Sequence, residues 1–200
     1  MPTLPLDDPL DWFDRWMDKA RSSPEPEPTA MSLATVDKQG HPTVRIVLLK
    51  DYDRKGFVFY TNLNSAKGQH LRDCPQAGIC FLWKELGYQV RIRGGVEQVE
   101  DAVADAYFQS RPRGSKVGAW ASRQSEQLDG RSTLEERVEH FRDKFRDQPV
   151  PRPPFWSGFR VMPERFEFWK LKADRLHDRW EFVPAQDGDD VSWQRHRLYP

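Results

Sequence analysis

The chain has 200 residues, and its 31 Lys plus Arg residues balance its 31 Asp plus Glu residues. This length suits one domain with a full hydrophobic core, and the balanced charge excludes a global attraction to nucleic acid or an anionic membrane. With no long apolar run and no charged-then-apolar leader, we expect a cytoplasmic protein without nucleic acid or membrane partners. Cys74 and Cys80 show no metal-binding pattern, so we predict structural thiols and no metal site.

The N-terminal part predicts one helix and then a β-rich region. The helix begins near Asp7-Asp8-Pro9 and repeats apolar residues at helical spacing as far as Ala20. A Pro- and Glu-rich linker follows over residues 22–29. We therefore divide the chain into an N-terminal helix and linker, residues 1–29, and a single domain, residues 30–200. Three strands are predicted as an antiparallel meander over residues 31–36, 43–50 and 57–63.

The middle of the chain alternates helices and strands. Asn64-Ser65 is predicted to cap a short helix that ends at Leu71 and presents Lys67 at its N-terminus, where anions bind readily. Asp101 is predicted to cap a helix over residues 101–110, and a capping box at Ser132-Thr-Leu-Glu135 to open another. The remaining predicted strands are 77–83, 89–100 with a bulge or bend at Gly94-Gly95, 158–162, 165–170, 180–183 and 192–198. The pattern predicts a mainly β, α+β fold: a barrel-like antiparallel sheet with peripheral helices.

Two cations bracket the apolar run Arg45-Ile-Val-Leu-Leu-Lys50. A cation beside a buried strand needs an anionic partner, and a bound phosphate is one candidate. The alternative is an ordinary strand whose cations reach water. Because Arg45 and Lys50 are an odd number of positions apart, a flat strand would direct them to opposite faces. That spacing favours two different ligands, or a bent strand, over one shared phosphate.

A second cluster combines the phenol of Tyr107, the guanidinium of Arg111 and the hydroxyl of Ser115. Tyr107 and Arg111 share a predicted helix face, and Ser115 follows in a turn made by Pro112 and Gly114. These donors suit a phosphate monoester. The alternative is a helix C-terminus whose arginines face the helix dipole.

A third cluster is Arg175-Leu-His177-Asp-Arg179. Its cations and imidazole alternate, as they would along one face of an extended segment. The alternative is an exposed, charged strand, and the residues alone leave both interpretations open.

Together with three further motifs, these clusters resemble a known family. The motifs are Arg45-Ile-Val-Leu-Leu-Lys50, Phe59-Tyr60-Thr61-Asn62, Ser110-Arg-Pro-Arg113, Gln124-Ser125, Phe166-Glu-Phe-Trp169 and Arg175-Leu-His-Asp-Arg179. They resemble the pyridoxine/pyridoxamine 5′-phosphate oxidase family over nearly all of the chain from Asp7 to Pro200. The resemblance implies a split β-barrel, a homodimer, and one FMN per active site in the cleft between subunits.

The resemblance also implies a reaction and assigns residues to it. The family oxidises pyridoxine 5′-phosphate or pyridoxamine 5′-phosphate to pyridoxal 5′-phosphate with dioxygen, releasing hydrogen peroxide, and ammonia from the amine. FMN would be bound by Arg45, Ile46, Val47, Leu48, Leu49, Lys50, Tyr60, Thr61, Lys67, Gln89, Gln124, Ser125, Trp169 and Arg179. Substrate would be bound by Lys50, Tyr107, Arg111, Ser115, Arg175 and His177, the last two being the expected catalytic pair that holds the pyridine ring over the flavin.

The chain departs from the family pattern in two places. The family usually has Ser-Arg-Lys beside the FMN phosphate, whereas this chain has Ser65-Ala66-Lys67, so we expect weaker flavin binding. The family's N-terminal arm carries an Arg and a Tyr before the segment that is Asp8-Pro9-Leu10 here. Neither residue type occurs in residues 1–7, so we expect no lid from such an arm.

Two other classes of function compete with this interpretation. A related flavin reductase or phenazine-pathway oxidase would share the flavin residues, but it should lack the Tyr107, Arg111 and Ser115 cluster. A non-catalytic protein that binds flavin or pyridoxal phosphate would keep the site without turnover. Oxygen consumption with pyridoxine phosphate distinguishes these alternatives.

Overall fold

The computed structural model describes residues 8–185 and 192–200, and over these it shows one nine-stranded antiparallel sheet with five α-helices around it. The helices are α1 Pro9–Arg21, α2 Ala66–Asp73, α3 Asp101–Ser110, α4 Arg113–Ala121 and α5 Arg131–Lys144. The strands are β1 Ala30–Val36, β2 Pro42–Leu48, β3 Asp51–Asp53, β4 Gly56–Asn62, β5 Gln76–Trp83, β6 Tyr88–Gln98, β7 Trp156–Lys170, β8 Asp178–Pro184 and β9 Trp193–Leu198. The mainly β architecture with peripheral helices is confirmed. Residues 1–7, where the family's arm would end, lie outside the described residues.

The strand order is β2-β1-β5-β6-β7-β4-β3, with β8 and β9 continuing from β7. The predicted meander is therefore wrong in its third strand. β1 and β2 form a hairpin, but β4 pairs with β3 and β7 and not with β2. The reason is that β2 ends at Leu48 and the chain turns, so that the amide of Lys50 donates to the carbonyl of Val58. β2 and β4 are therefore separate strands that do not pair with each other.

The two strands predicted over 158–162 and 165–170 form the single long strand β7. It pairs with β6 through a register shift between Arg93 and Gly94, which confirms the predicted irregularity. A side chain at Gly94 could not be accommodated, because a Cβ there would lie 1.8 Å from the carbonyl oxygen of Met162. The bulge bends the strand pair, as a closing sheet requires.

Helix α1 begins where the sequence predicts, since the carboxylate of Asp8 accepts from the amide of Leu10 at 2.8 Å. Its apolar face is buried in the same core as the sheet. Phe13 is fully buried and meets the rings of Phe57 and Phe81 edge-on. This burial stabilises the inner side of β4 and β5, so that the outer residues of these strands are held rigidly. No helix among the described ranges is long and apolar enough to cross a membrane.

Helix α4 was not predicted from the sequence. Pro112 and Gly114 indicated a turn, but Pro112 is instead the residue before the first turn of α4. Arg113 stabilises this helix by donating to the carbonyl oxygens of Gln148 at 3.1 Å and Arg146 at 3.2 Å, beyond the end of α5. The contact is between distant parts of the chain, so no local pattern could reveal it.

Both predicted helix caps in this region are wrong. The residue before α3 is Glu100, and Asp101 instead accepts from Arg152 at 2.7 Å. Helix α5 begins at Arg131 after Gly130, so Ser132 already lies inside the helix and makes no capping hydrogen bond. Helix α3 starts one residue earlier than a cap at Asp101 would place it, and helix α5 starts two residues earlier than a cap at Ser132 would place it.

Candidate active site

A cavity of about 680 Å³ opens between β2, β4, the start of α2, and helices α3 and α4. Twelve residues that the sequence analysis singled out line it: Arg45, Ile46, Val47, Leu48, Lys50, Tyr60, Thr61, Lys67, Tyr107, Arg111, Ser115 and Gln124. Five lining residues were missed: Asn62, Gly118, Ala119, Ser122 and Trp156. Three of these belong to the unpredicted helix α4 or the residue that follows it.

Arg45 and Lys50 line the same cavity despite their odd spacing. β2 ends at Leu48, so Lys50 lies past the bend rather than on the continuing strand. Leu49, between them, turns inward and is buried in the core, with 4% of its surface exposed. Of the two explanations offered for the spacing, the bent strand is therefore confirmed.

The cavity is strongly electropositive. Its lining includes the cations Arg45, Lys50, Lys67 and Arg111 but no Asp or Glu. Burial, and secondly the neighbouring charge of Arg45, lower the pKa of Lys67 below its ordinary value. Burial likewise lowers the pKa of Arg111. Cations held together without a carboxylate destabilise one another, and an anionic ligand would relieve that cost.

One end of the cavity is built on the N-terminus of α2. Lys67 Nζ donates to Gln124 Oε1 at 3.0 Å, and Thr61 donates to the same oxygen at 3.2 Å. The amide of Ala66 donates to the hydroxyl of Ser125 at 3.2 Å. These contacts place the segment after α4 against a helix start whose positive dipole end and lysine suit an anion. Ala66 is exposed and its methyl group contributes no donor.

The other end of the cavity is an aromatic stack with a buried cation beside it. The rings of Tyr60 and Tyr107 lie 4.0 Å apart at 12°, and Trp156 lies 5.2 Å from Tyr60 on a nearly parallel plane. The guanidinium of Arg111 lies 4.8 Å from the centre of the Trp156 ring. Its NH1 is buried without a hydrogen-bond partner among the described residues. Ser115, in the first turn of α4, completes this end of the cavity.

The remaining predicted residues form a second group that does not line the cavity. Gln89, Trp169 and Arg179 lie directly opposite one another on β6, β7 and β8. The His177 ring lies 4.5 Å from that of Trp169. Arg179 donates to Glu167 at 2.9 Å and to the carbonyl of Tyr199 at 2.8 Å.

The prediction that Arg175 and His177 lie on an extended segment is wrong. Ala173–Arg175 is a short 3₁₀ turn, with positive φ angles of 54° at Asp174 and 61° at Arg175. β8 begins only at Asp178. The turn follows the end of β7 and leaves His177 beside Trp169. The sequence offered no glycine at these positions to signal a left-handed backbone.

Residues 17–145 match the family model described as pyridoxamine 5′-phosphate oxidase, and residues 156–200 match that of the pyridoxine 5′-phosphate oxidase C-terminal dimerisation region. The chain belongs to this family of oxidoreductases. It is 51% identical to the pyridoxine/pyridoxamine 5′-phosphate oxidase of Brucella anthropi over 193 residues, which cover 96% of this chain and 94% of that relative.

Two solved structures have a fold similar to that of this chain. The crystal structure of PhzG from Burkholderia lata 383, in complex with tetrahydrophenazine-1-carboxylic acid, aligns with a TM-score of 0.90 and 29% identity, covering 98% of this chain and 95% of that one. A pyridoxamine 5′-phosphate oxidase-related, FMN binding protein from Nostoc punctiforme aligns with a TM-score of 0.74 and 17% identity, covering 99% and 100%. The second likeness is one of fold alone. The predicted split β-barrel is confirmed.

Proposed function

We propose that this oxidase converts pyridoxine 5′-phosphate and pyridoxamine 5′-phosphate to pyridoxal 5′-phosphate in the cytoplasm, as a step of vitamin B6 biosynthesis or salvage. The alcohol and dioxygen give the aldehyde and hydrogen peroxide; the amine, dioxygen and water give the aldehyde, hydrogen peroxide and ammonia. The observation that carries the proposal is the cavity, which has cations at both ends and no carboxylate. Two phosphate groups, one from the cofactor and one from the substrate, match that arrangement.

The cofactor is FMN, and the residues at the α2 end of the cavity fit it. Arg45, Lys67 and the positive end of the α2 dipole would hold its phosphate, with Gln124 and Thr61 beside them. When bound, FMN supplies the hydride acceptor, at N5, and passes the electrons to dioxygen. The chain's own contribution is to bind, orient and shield the reacting groups.

The substrate phosphate would occupy the other end of the cavity. Tyr107, Arg111, Ser115 and Lys50 supply donors there, and the buried NH1 of Arg111 has no partner among the described residues. An uncompensated buried guanidinium nitrogen is costly, so a phosphate oxygen at this point would satisfy it. The stack of Tyr60, Tyr107 and Trp156 keeps Arg111 from turning away.

A second copy of the chain would complete each site. Trp169, Arg175, His177 and Arg179 lie within the residues that match a C-terminal dimerisation region, but they do not line the cavity of their own chain. In a homodimer, this group and Gln89 would face the cavity of the other copy. Arg175 and His177 would then hold the reacting carbon of the substrate near the flavin. Each dimer would contain two such sites.

The related PhzG structure raises a second candidate substrate, a phenazine precursor without phosphate. The cluster of Tyr107, Arg111 and Ser115 favours the phosphorylated substrate, because a phosphate offers three terminal oxygens and up to two charges to these three donors, whereas a carboxylate offers two oxygens and one charge.

Oxygen consumption tests the proposal. Purified protein loaded with FMN should consume dioxygen on addition of pyridoxine 5′-phosphate and form equal amounts of hydrogen peroxide and pyridoxal 5′-phosphate. Unphosphorylated pyridoxine at the same concentration is the matched control and should react far more slowly. Equal rates on both compounds, or no turnover by fully loaded protein, would reject the proposed substrate.

A further inference from the structure

His70 lies on α2, one helical turn after Ala66, and its ring faces two threonines of the β1–β2 hairpin. His70 Nδ1 lies 3.2 Å from the hydroxyl of Thr35 and 3.4 Å from that of Thr43. Thr35 is buried, with 1% of its surface exposed. The same two hydroxyls are partners of Arg45, which donates from NH1 to Thr35 at 2.6 Å and from NH2 to Thr43. His70 and Arg45 therefore meet through two shared threonines.

Counting protons fixes the direction of the hydrogen bonds from Arg45 to the two threonines. A guanidinium can only donate, so each threonine oxygen accepts from Arg45 and must place its own proton elsewhere. Among the described residues, the acceptors within reach are the other hydroxyl, 3.4 Å away, and His70 Nδ1. With the ring proton on Nε2, Nδ1 is an acceptor and takes one of the two threonine protons.

This network holds the Arg45 guanidinium. Its NH1 also donates to the carbonyl of Leu33 at 3.1 Å, so Arg45 has three acceptors on the hairpin and, among the described residues, no carboxylate partner. A hydroxyl that donates to Nδ1 is polarised and becomes a better acceptor for Arg45. The guanidinium is thereby oriented without being neutralised, and its charge remains available to an anion in the cavity.

We propose that His70 is a positioning residue for the FMN phosphate, acting through Thr35 and Thr43 on Arg45. This inference rests on the proposed function, which places the phosphate between Arg45 and Lys67. It has particular weight in this chain because Ala66 provides no cation at the same helix start. With one cation fewer, flavin binding depends more strongly on the orientation of Arg45.

Two substitutions of His70 separate positioning from packing. His70→Leu keeps the bulk of the side chain against β1 but removes the acceptor. His70→Asn places an amide oxygen where Nδ1 lies and keeps an acceptor for the threonines. We expect His70→Leu to raise the Kd for FMN about three- to tenfold, the loss of one or two hydrogen bonds. His70→Asn should stay within about twofold of wild type.

The measurement is quenching of flavin fluorescence on titration of apoprotein, with riboflavin as the matched probe. Riboflavin lacks the phosphate, so its affinity should be the same in wild type, His70→Leu and His70→Asn. In an Arg45→Met background, His70→Leu should cause no further loss of FMN affinity, because its effect passes through Arg45. Thr43→Val, at an exposed position on β2, provides a second variant that removes one link without disturbing the core.

Several results would overturn the inference. Equal losses for FMN and riboflavin, an Asn variant as weak as the Leu variant, or additive losses with Arg45→Met would each assign His70 a packing role. If His70→Leu fails to fold, Thr43→Val decides, and unchanged FMN affinity in that variant would reject the network. Wild-type protein that binds FMN no better than riboflavin would reject both the inference and the proposed flavin phosphate site. Normal discrimination by wild type with neutral His70 variants would reject the inference alone.

Discussion

The guanidinium of Arg111 lies over the ring of Trp156 at 4.8 Å, while its buried NH1 has no hydrogen-bond partner among the described residues. The ring supports one face of the cation but does not satisfy its N–H groups. Arg111 is the residue after α3, and Trp156 begins β7, so the pair joins a helix end to the sheet. Arg111 lines the cavity, and its NH1 remains without a partner among the described residues.

Removing this donor should affect phosphorylated substrate alone. Arg111→Leu should lower kcat/KM for pyridoxine 5′-phosphate about ten- to a hundredfold, the value of a charge-assisted contact. Unphosphorylated pyridoxine should react at nearly the wild-type rate, since it offers no anion to Arg111. Steady-state assays with both substrates, at fixed ionic strength and with flavin content checked by absorbance, make the comparison. Equal losses on the two substrates would instead assign Arg111 a structural role at the end of α3.

Much of the fold followed from local patterns. The apolar face of α1 and the alternation in β5 and β6 were visible because each repeats at the spacing of its element. The pairing of β4 with β7 was not predictable, since it joins residues about 100 positions apart and depends on where β2 ends. Helix α4 was hidden for a similar reason: Arg113 stabilises it from across the fold.

The candidate site was predictable where its chemistry is local. Arg45, Lys67 and Arg111 stand out as cations in apolar or helix-end settings, and all three line the cavity. Trp156 was missed because a buried tryptophan at a strand start looks like ordinary core until its stacking on Tyr60 is seen. His70 was missed because its partners lie on two strands of a hairpin that precedes it by about 30 residues.

A cation at position 66 should strengthen flavin binding. Ala66 is exposed at the start of α2, and Ala66→Arg would add a guanidinium beside Lys67. Because the position is solvated, we expect FMN to bind about two- to fivefold more tightly, less than a buried contact would give. Ala66→Gln, long but neutral, is the matched control and should leave the Kd unchanged. Titration of apoprotein at low and high salt checks the result, and an unchanged Kd for the arginine variant would mean that Arg45 and Lys67 suffice.

Flavin affinity should fall with rising pH before an ordinary lysine would titrate. In the site without phosphate, burial and the charge of Arg45 lower the pKa of Lys67 below its ordinary value of 10.5. A bound phosphate favours the charged lysine and therefore raises that pKa. Binding therefore takes up a proton where Lys67 titrates, and affinity declines as pH rises through the lowered pKa. Burial raises the pKa values of Tyr60 and Tyr107, so both phenols stay protonated to a higher pH than an exposed tyrosine.

The control for this pH effect is Lys67→Arg, whose guanidinium stays charged across the range. FMN titrations at a series of alkaline pH values should show the decline in wild type and a much flatter profile in the variant. Riboflavin affinity should depend little on pH in both proteins, since no phosphate meets Lys67. Parallel declines in wild type and Lys67→Arg would show that another group controls the dependence.

The purified protein should be a yellow dimer in which each site takes residues from both copies. Two weakened variants should therefore restore one another: Arg111→Leu changes the cavity group, and Arg175→Leu changes the group on the turn before β8. In a mixed dimer one site carries both substitutions and the other carries neither. Random mixing makes about half of the dimers mixed, so activity should recover to about a quarter of wild type. Co-expression with two different affinity tags and tandem purification would isolate the mixed dimer, whose activity should be about half of wild type, and light scattering would check its size. The control is the pair of unmixed variants measured at the same flavin content.

If every site lay within one chain, the mixture would show only the mean of the two low activities. A monomer that binds FMN stoichiometrically would equally reject the shared site.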